Sequence, residues 1–149
     1  MNHYHSDLLI NAPAADVYKA LTTPEGLQSW WTKTCEIGTQ VGAESTFHFG
    51  KTFKVMRIEA LNPDVKVAWQ CIDSHIHAPG LLTRTNEWIG TSIAFNLEPQ
   101  FASSTLLKFD HFGLVPEVEC FEVCSSGWDQ FLGSLKEYAE TGKGRPFSE

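Results

Sequence analysis

Two histidines, a glutamate and a set of tryptophans sit in patterns that aim them at the interior of the fold. In "STLLKFDHF", Thr105, Leu107, Phe109 and His111 alternate with Leu106, Lys108 and Asp110. The charged pair marks the outer face of a strand, which turns His111 inward. In "TFHFG", His48 lies between Phe47 and Phe49 and points away from both. Such an imidazole serves either as a hydrogen-bond partner or proton shuttle for a ligand, or as a core residue with both nitrogens satisfied. Along "TNEWIGTSIAFNLEP", strict alternation puts Glu87, Ile89, Thr91, Ile93, Phe95 and Leu97 on one face. That face is apolar except at Glu87 and Thr91, so it reads as inward. Glu87 is then either a general acid/base at a pocket mouth, with a raised pKa, or a wet residue at the strand end.

The chain has 5 Trp and 10 Phe in 149 residues. Aromatic rings carry large apolar area on few rotatable bonds and suit cores and pocket walls alike. Trp30 and Trp31 close a helix. Of two adjacent helical residues only one points fully inward, so the expectation is one core indole and one half-exposed at a pocket rim. Trp69 and Trp88 lie on strand patterns, with the same choice between core and cavity wall. In "GWDQFLGSLKEYAETGKG", Leu132, Leu135 and Ala139 read as sheet-packing residues and Trp128 and Phe131 as cavity walls. Gly127 and Gly133 inside this helix each cost about 1 kcal/mol and suggest a close approach or a bend.

Other chemistry finds little support. The His3/His5 and His75/His77 pairs have a spacing that metal sites sometimes use, yet no carboxylate or cysteine joins either locally at suitable spacing. They read as surface histidines, and no metal is expected. Cys35, Cys71, Cys120 and Cys124 show no CxxC spacing and read as reduced, mostly buried thiols. No G-x-S-x-G, P-loop or GxGxxG motif appears, so no cofactor is expected, nor an ordinary hydrolase, kinase or dehydrogenase.

The elements that must position these residues follow from period and punctuation. "HSDLLINAP" predicts a first strand, Pro13 suits the first helical position, and a short helix follows. Thr23 is the expected N-cap of a second helix with Pro24 at N1. The middle of the chain changes to strand period, with turns at Gly50-Lys51, Asn62-Pro63-Asp64 and Glu98-Pro99-Gln100. "HIHAPGLL" is the longest irregular connection, a candidate mobile loop over a pocket mouth. Gly142 and Gly144 end a long C-terminal helix. The class is α+β: a curved antiparallel sheet of six to seven strands with helices on one side.

Composition narrows the partners. Residues 1–149 read as one globular domain, 42% hydrophobic and 19% charged. The net charge is −7 and there is no basic run, which excludes nucleic acid and anionic membrane surfaces. Nothing resembles a signal peptide or a membrane span, so the expected location is cytoplasmic.

"INAPAADVYKALTTPEGLQSWW", "GTSIAFNLEP" with "STLLKFDHFGL", and the closing "GWDQFLGSLKEYAETGKG" resemble, in that order, the START-like (SRPBCC, Bet v 1-like) superfamily. Within it they are similar to the subfamily named after the activator of the 90-kDa heat-shock chaperone ATPase. The resemblance covers about residues 5 to 144 and implies a helix-grip fold, with the sheet wrapped around the C-terminal helix. It also implies an apolar small molecule (lipid, polyketide-like or similar) held between them. The residues expected to contact it are Trp30, Trp31, Trp69, Glu87, Phe95, His48, His111, Trp128 and Phe131. Two alternatives stand beside this: a cyclase or dehydratase using His111, His48 or Glu87, and a module contacting a chaperone or its own homodimer partner.

Overall fold

The computed structural model describes residues 2–148. Seven strands, β1 (Tyr4–Ile10), β2 (Thr34–Glu36), β3 (Glu44–Phe49), β4 (Thr52–Asn62), β5 (Lys66–His75), β6 (Ser92–Gln100) and β7 (Ser104–Phe112), form one antiparallel sheet. Their order is β1-β7-β6-β5-β4-β3-β2, a meander whose last strand pairs with the first. The sheet is curved and unclosed. The helices α1 (Ala14–Thr22), α2 (Pro24–Trp30) and α3 (Phe121–Thr141) pack on its inner face, giving an α+β helix-grip fold.

Local chemistry explains the joints. The Thr23 hydroxyl accepts the Gly26 N–H, capping α2, and Pro24 follows at its first position. Gly26 is required by packing, because a Cβ there would lie 2.6 Å from the Ala20 backbone. Pro13 stands one place earlier than expected, as the N-cap of α1 with extended backbone. Gly142, at φ 85°, takes the left-handed conformation that ends α3, and its N–H returns to the Tyr138 carbonyl.

Three expectations are corrected. The strand read from Thr85 onward begins only at Ser92, and residues before it form turns, so Glu87, Ile89 and Thr91 are not on a strand face. Glu98-Pro99-Gln100 completes β6, and the chain reverses instead through Phe101–Ser103, where Ala102 and Ser103 adopt positive φ. Neither helix glycine marks a close approach. A Cβ on Gly127 would meet nothing within 4 Å, and one on Gly133 only the end of Arg145, at 3.7 Å.

The core between helices and sheet is built on the tryptophans. Trp30 and Trp31 are 0% and 1% exposed, so the expected half-exposed partner does not exist. Trp31 is the C-cap of α2, its N–H still bonded to the Leu27 carbonyl, and both indoles are covered because Trp30 meets the Ala20 carbonyl and Phe95 while Trp31 meets Phe47, Trp69 and Trp128. Trp31 lies nearly parallel to Trp30, Trp69 and Trp128, with ring centroids 5.4–5.8 Å apart. Trp88 continues the series against Trp128 at 5.9 Å. All 5 indoles of the chain thus form one connected stack. Phe95, Phe109 and Phe47 fill its flanks edge-on or tilted. Burying each such ring contributes about 1.5–3 kcal/mol.

Candidate functional site: a tryptophan-lined cleft

The stack stops short of filling the space under the start of α3. A half-open cleft of about 110 Å³ remains there, lined by Trp31, Lys54, Trp88, Cys124, Trp128 and Phe131, with Ile76 and Val123 at its edges. Gly127 also lines it, and its missing side chain is what leaves the space open. A hollow of about 230 Å³ lies between α1, α2 and the strands, beside Trp69, and another of about 240 Å³ between α1 and the end of α3. Both are larger, but neither holds a cluster of indoles or a half-buried cation.

Lys54 is the group that sequence reasoning missed. Along β4 it shares a face with Met56 and Ile58, both buried, and it stands opposite buried Phe47 on β3. That parity was readable in "FKVMRI". Its ammonium sits over the faces of Trp88 (4.2 Å) and Phe49 (4.5 Å), a cation–π arrangement. Among the described residues no carboxylate pairs with it. Burial holds its pKa below the ordinary lysine value, partly offset by the neighbouring thiols Cys124, Cys71 and Cys120. Directly across the β4–β5 ladder is Ser74, 5% exposed, whose hydroxyl has no partner.

His111 is fully buried behind the cleft, and its tautomer follows from its neighbours. The Trp128 indole N–H donates to His111 Nδ1 at 3.0 Å. Nε2 must then carry the proton, and it donates to Thr91 Oγ1 at 2.9 Å. The Thr91 hydroxyl passes its own hydrogen to the Trp88 carbonyl at 2.7 Å. Burial first, then the positive charges of Lys54 and His3, push the His111 pKa down to about 3. It is a neutral link between two cleft tryptophans, with no free nitrogen for acid–base work.

Glu87 has a different task from a pocket acid. Its carboxylate accepts the backbone N–H groups of Glu119 and Cys120, each at 3.0 Å, at the start of α3. Glu119 reciprocates, accepting from the N–H groups of Thr83 and Arg84 at 2.7–3.0 Å and from the Thr83 hydroxyl at 2.9 Å. Those backbone donors hold its carboxyl below the usual range. The long connection from His75 to Ser92 is therefore fastened to the helix by two crossed carboxylates.

Of the other expected contacts, Trp31, Trp128 and Phe131 line the cleft, whereas Trp30, Trp69 and Phe95 do not. The Trp30 indole donates to the Ala20 carbonyl at 2.8 Å, and Phe95 packs against Trp69 and Phe109. His48 alternates with buried Phe47 and so lies on the opposite face of the sheet. Glu87, His48 and His111 are not brought to one space. His3 and His5 share a carboxylate from across the sheet, Asp110, at 2.8 and 2.7 Å, and His5 also pairs with its sequence neighbour Asp7 at 2.8 Å, which the sequence reading set aside. No group of three His, Cys, Asp or Glu residues suited to a metal occurs among the described residues.

Comparison with known proteins places this geometry. The solution structure of the Aha1 dimer from Colwellia psychrerythraea is similar over 97% of this chain and 100% of its own, at 30% identity and TM-score 0.80. A putative protein of the dynemicin biosynthetic locus, DynU16, shares the fold over 97% of this chain and 49% of its own, at 20% identity and TM-score 0.73. A Mesorhizobium loti protein does so over 90% and 95%, at 16% identity and TM-score 0.70. No curated protein sequence matches significantly. The sequence profile described as "Activator of Hsp90 ATPase homolog 1-like protein" matches residues 11–140. With the profile spanning most of its length and the fold agreeing, the chain belongs to this family, within the SRPBCC/Bet v 1-like superfamily.

Proposed function

We propose that this protein binds a small apolar or aromatic molecule in the cleft beneath the first turns of α3. The observation that carries the reading is the cleft wall itself: three indoles and Phe131 around a space that Gly127 leaves open. Apolar walls with a few placed polar groups are the usual makeup of a ligand site. At about 110 Å³ the space is somewhat below the roughly 150 Å³ cavity that accepts benzene. The occupant is thus a single ring or the end of a chain, and a whole lipid or polyketide would have to displace the 76–91 connection.

Benzene and toluene are suitable probes. Each is expected to raise the melting temperature of the wild-type protein, and Gly127→Leu, which places a side chain in the cleft, is expected to abolish that rise while keeping the fold. No rise in wild type, or an equal rise in Gly127→Leu, would end the proposal.

Self-association is a second reading, favoured by one observation: the Colwellia relative at 30% identity is a dimer in solution. Leu81, Ile89 and Val123, which are 71%, 46% and 39% exposed, stand on the segments that border the cleft and offer an apolar contact. Sedimentation over a range of concentrations is expected to show a dimer, and a monomer throughout would dismiss it.

A further inference from the structure

We propose that Cys124 is a nucleophilic thiolate, paired with the Lys54 ammonium across the cleft, and that it adds to small α,β-unsaturated carbonyl compounds. The argument starts from Lys54, a cation among aromatic faces with no carboxylate partner. A half-buried cation held over aromatic faces gains from a counter-charge, and the acidic groups around it are three thiols: Cys124, Cys71 and Cys120.

Geometry selects among them. The Cys71 thiol donates to the Asp73 carbonyl at 3.3 Å and is 1% exposed, so it stays protonated and out of reach. Cys120, also 1% exposed, is the N-cap of α3, one turn before Cys124, and is closed off from the cleft. Cys124 lines the cleft, keeps 9% exposure, and accepts the Trp88 indole N–H at 3.1 Å. The same indole carries the Lys54 ammonium over its ring, so one residue joins the cation and the sulfur.

The groups facing Cys124 are Lys54 from β4, Cys120 from its own helix, and Trp88 and Glu87 from the connection before β6. The Cys120 thiol, Lys54 and the Trp88 N–H favour the thiolate, while burial and the Glu87 charge oppose it. The balance holds its pKa below that of an ordinary thiol. Burial instead raises that of Cys71 to about 12. An indole donor on the sulfur and a cation lining the same cleft are the environment that makes a cysteine reactive.

The step balances without a further reagent. The sulfur lone pair bonds to the β-carbon, the carbon–carbon π pair moves to give an enolate, and the Lys54 ammonium supplies the proton that becomes the α-hydrogen. Water then returns a proton to the amine. The apolar cleft admits a small enone or enamide, and the ammonium stands where the enolate charge develops.

Cys35 is the internal control: a partly exposed thiol whose pKa burial raises. With acrylamide at pH 7, peptide mapping is expected to find Cys124 modified at least ten-fold faster than Cys35. Lys54→Met should lower the Cys124 rate at pH 7 by ten-fold or more and leave it near wild type at pH 10. Trp88→Phe, which keeps the ring and removes the donor, should shift the pH profile the same way. Preferential modification of Cys35, or a Cys124 rate unmoved by Lys54→Met, would overturn the assignment. The outcome is separable from the binding reading, because an adduct at Cys124 without any toluene-induced stabilisation leaves this proposal standing and removes only the other.

Discussion

Lys54 and His111 show how far burial alone governs the behaviour of single residues. Lys54 has a pKa below its unfolded value of 10.5, so the unfolded chain holds the proton more tightly and the charge opposes folding at neutral pH. Lys54→Met should therefore stabilise the protein at pH 7, because it removes a charge whose desolvation opposes folding. That advantage should shrink as pH rises toward 10.5, as urea titrations at pH 7 and 10 would show. His111 follows the same sign at lower pH. Its folded pKa of about 3 against 6.5 unfolded means that stability falls as pH drops from 6.5 toward 3. The slope approaches about 1.4 kcal/mol per pH unit. Urea unfolding between pH 7 and 5, above most carboxylate titrations, would isolate it, and His111→Gln should flatten the slope. The inward direction of His111 was readable from the alternation of "STLLKFDHF". Its neutral, fully bonded state was not, because Trp128 and Thr91 reach it from 17 and 20 residues away.

Elements were legible where their own period set them and illegible where a neighbour did. The capping of α2 and the stop at Gly142 depend on a few adjacent residues, and both appear as the sequence implies. The segment from Thr85 to Thr91 has strand-like residues, but its Glu87 carboxylate is claimed by the start of α3, a contact across more than 30 residues, and its backbone turns on itself through Ile89 to Asn86 and Thr91 to Trp88. The Trp30–Trp31 pair misled for a related reason: the two sides of the end of α2 are covered by different distant elements, Ala20 and Phe95 for Trp30 and Phe47, Trp69 and Trp128 for Trp31. The crossed carboxylates predict that Glu119→Gln, which weakens charge-assisted bonds to Thr83 and Arg84, will speed amide exchange at those two residues. Exchange elsewhere in the sheet should not change. Gly127→Ala should stabilise α3 by up to about 1 kcal/mol, since the added methyl meets nothing within 4 Å. A gain in melting temperature with weaker toluene binding would express both roles of that glycine.

For the molecule as a whole, the sheet order and helix placement agree with what the family resemblance implied, while the space under the helix is much smaller than a lipid carrier needs. Among the described residues, no helix is long and apolar enough to cross a membrane. Most of that interior space went to tryptophan, and this has an optical consequence. Indoles lying nearly parallel at 5.4–5.9 Å couple their electronic transitions. The native protein should show a strong near-ultraviolet circular dichroism signal, largely lost in Trp31→Phe, since Trp31 touches three of the other four rings. Excitation will also migrate along the stack before emission, so the light emitted should be depolarised even in a rigid solvent. An occupant at the Trp88 end would then dim all five rings together, which makes the protein its own optical sensor.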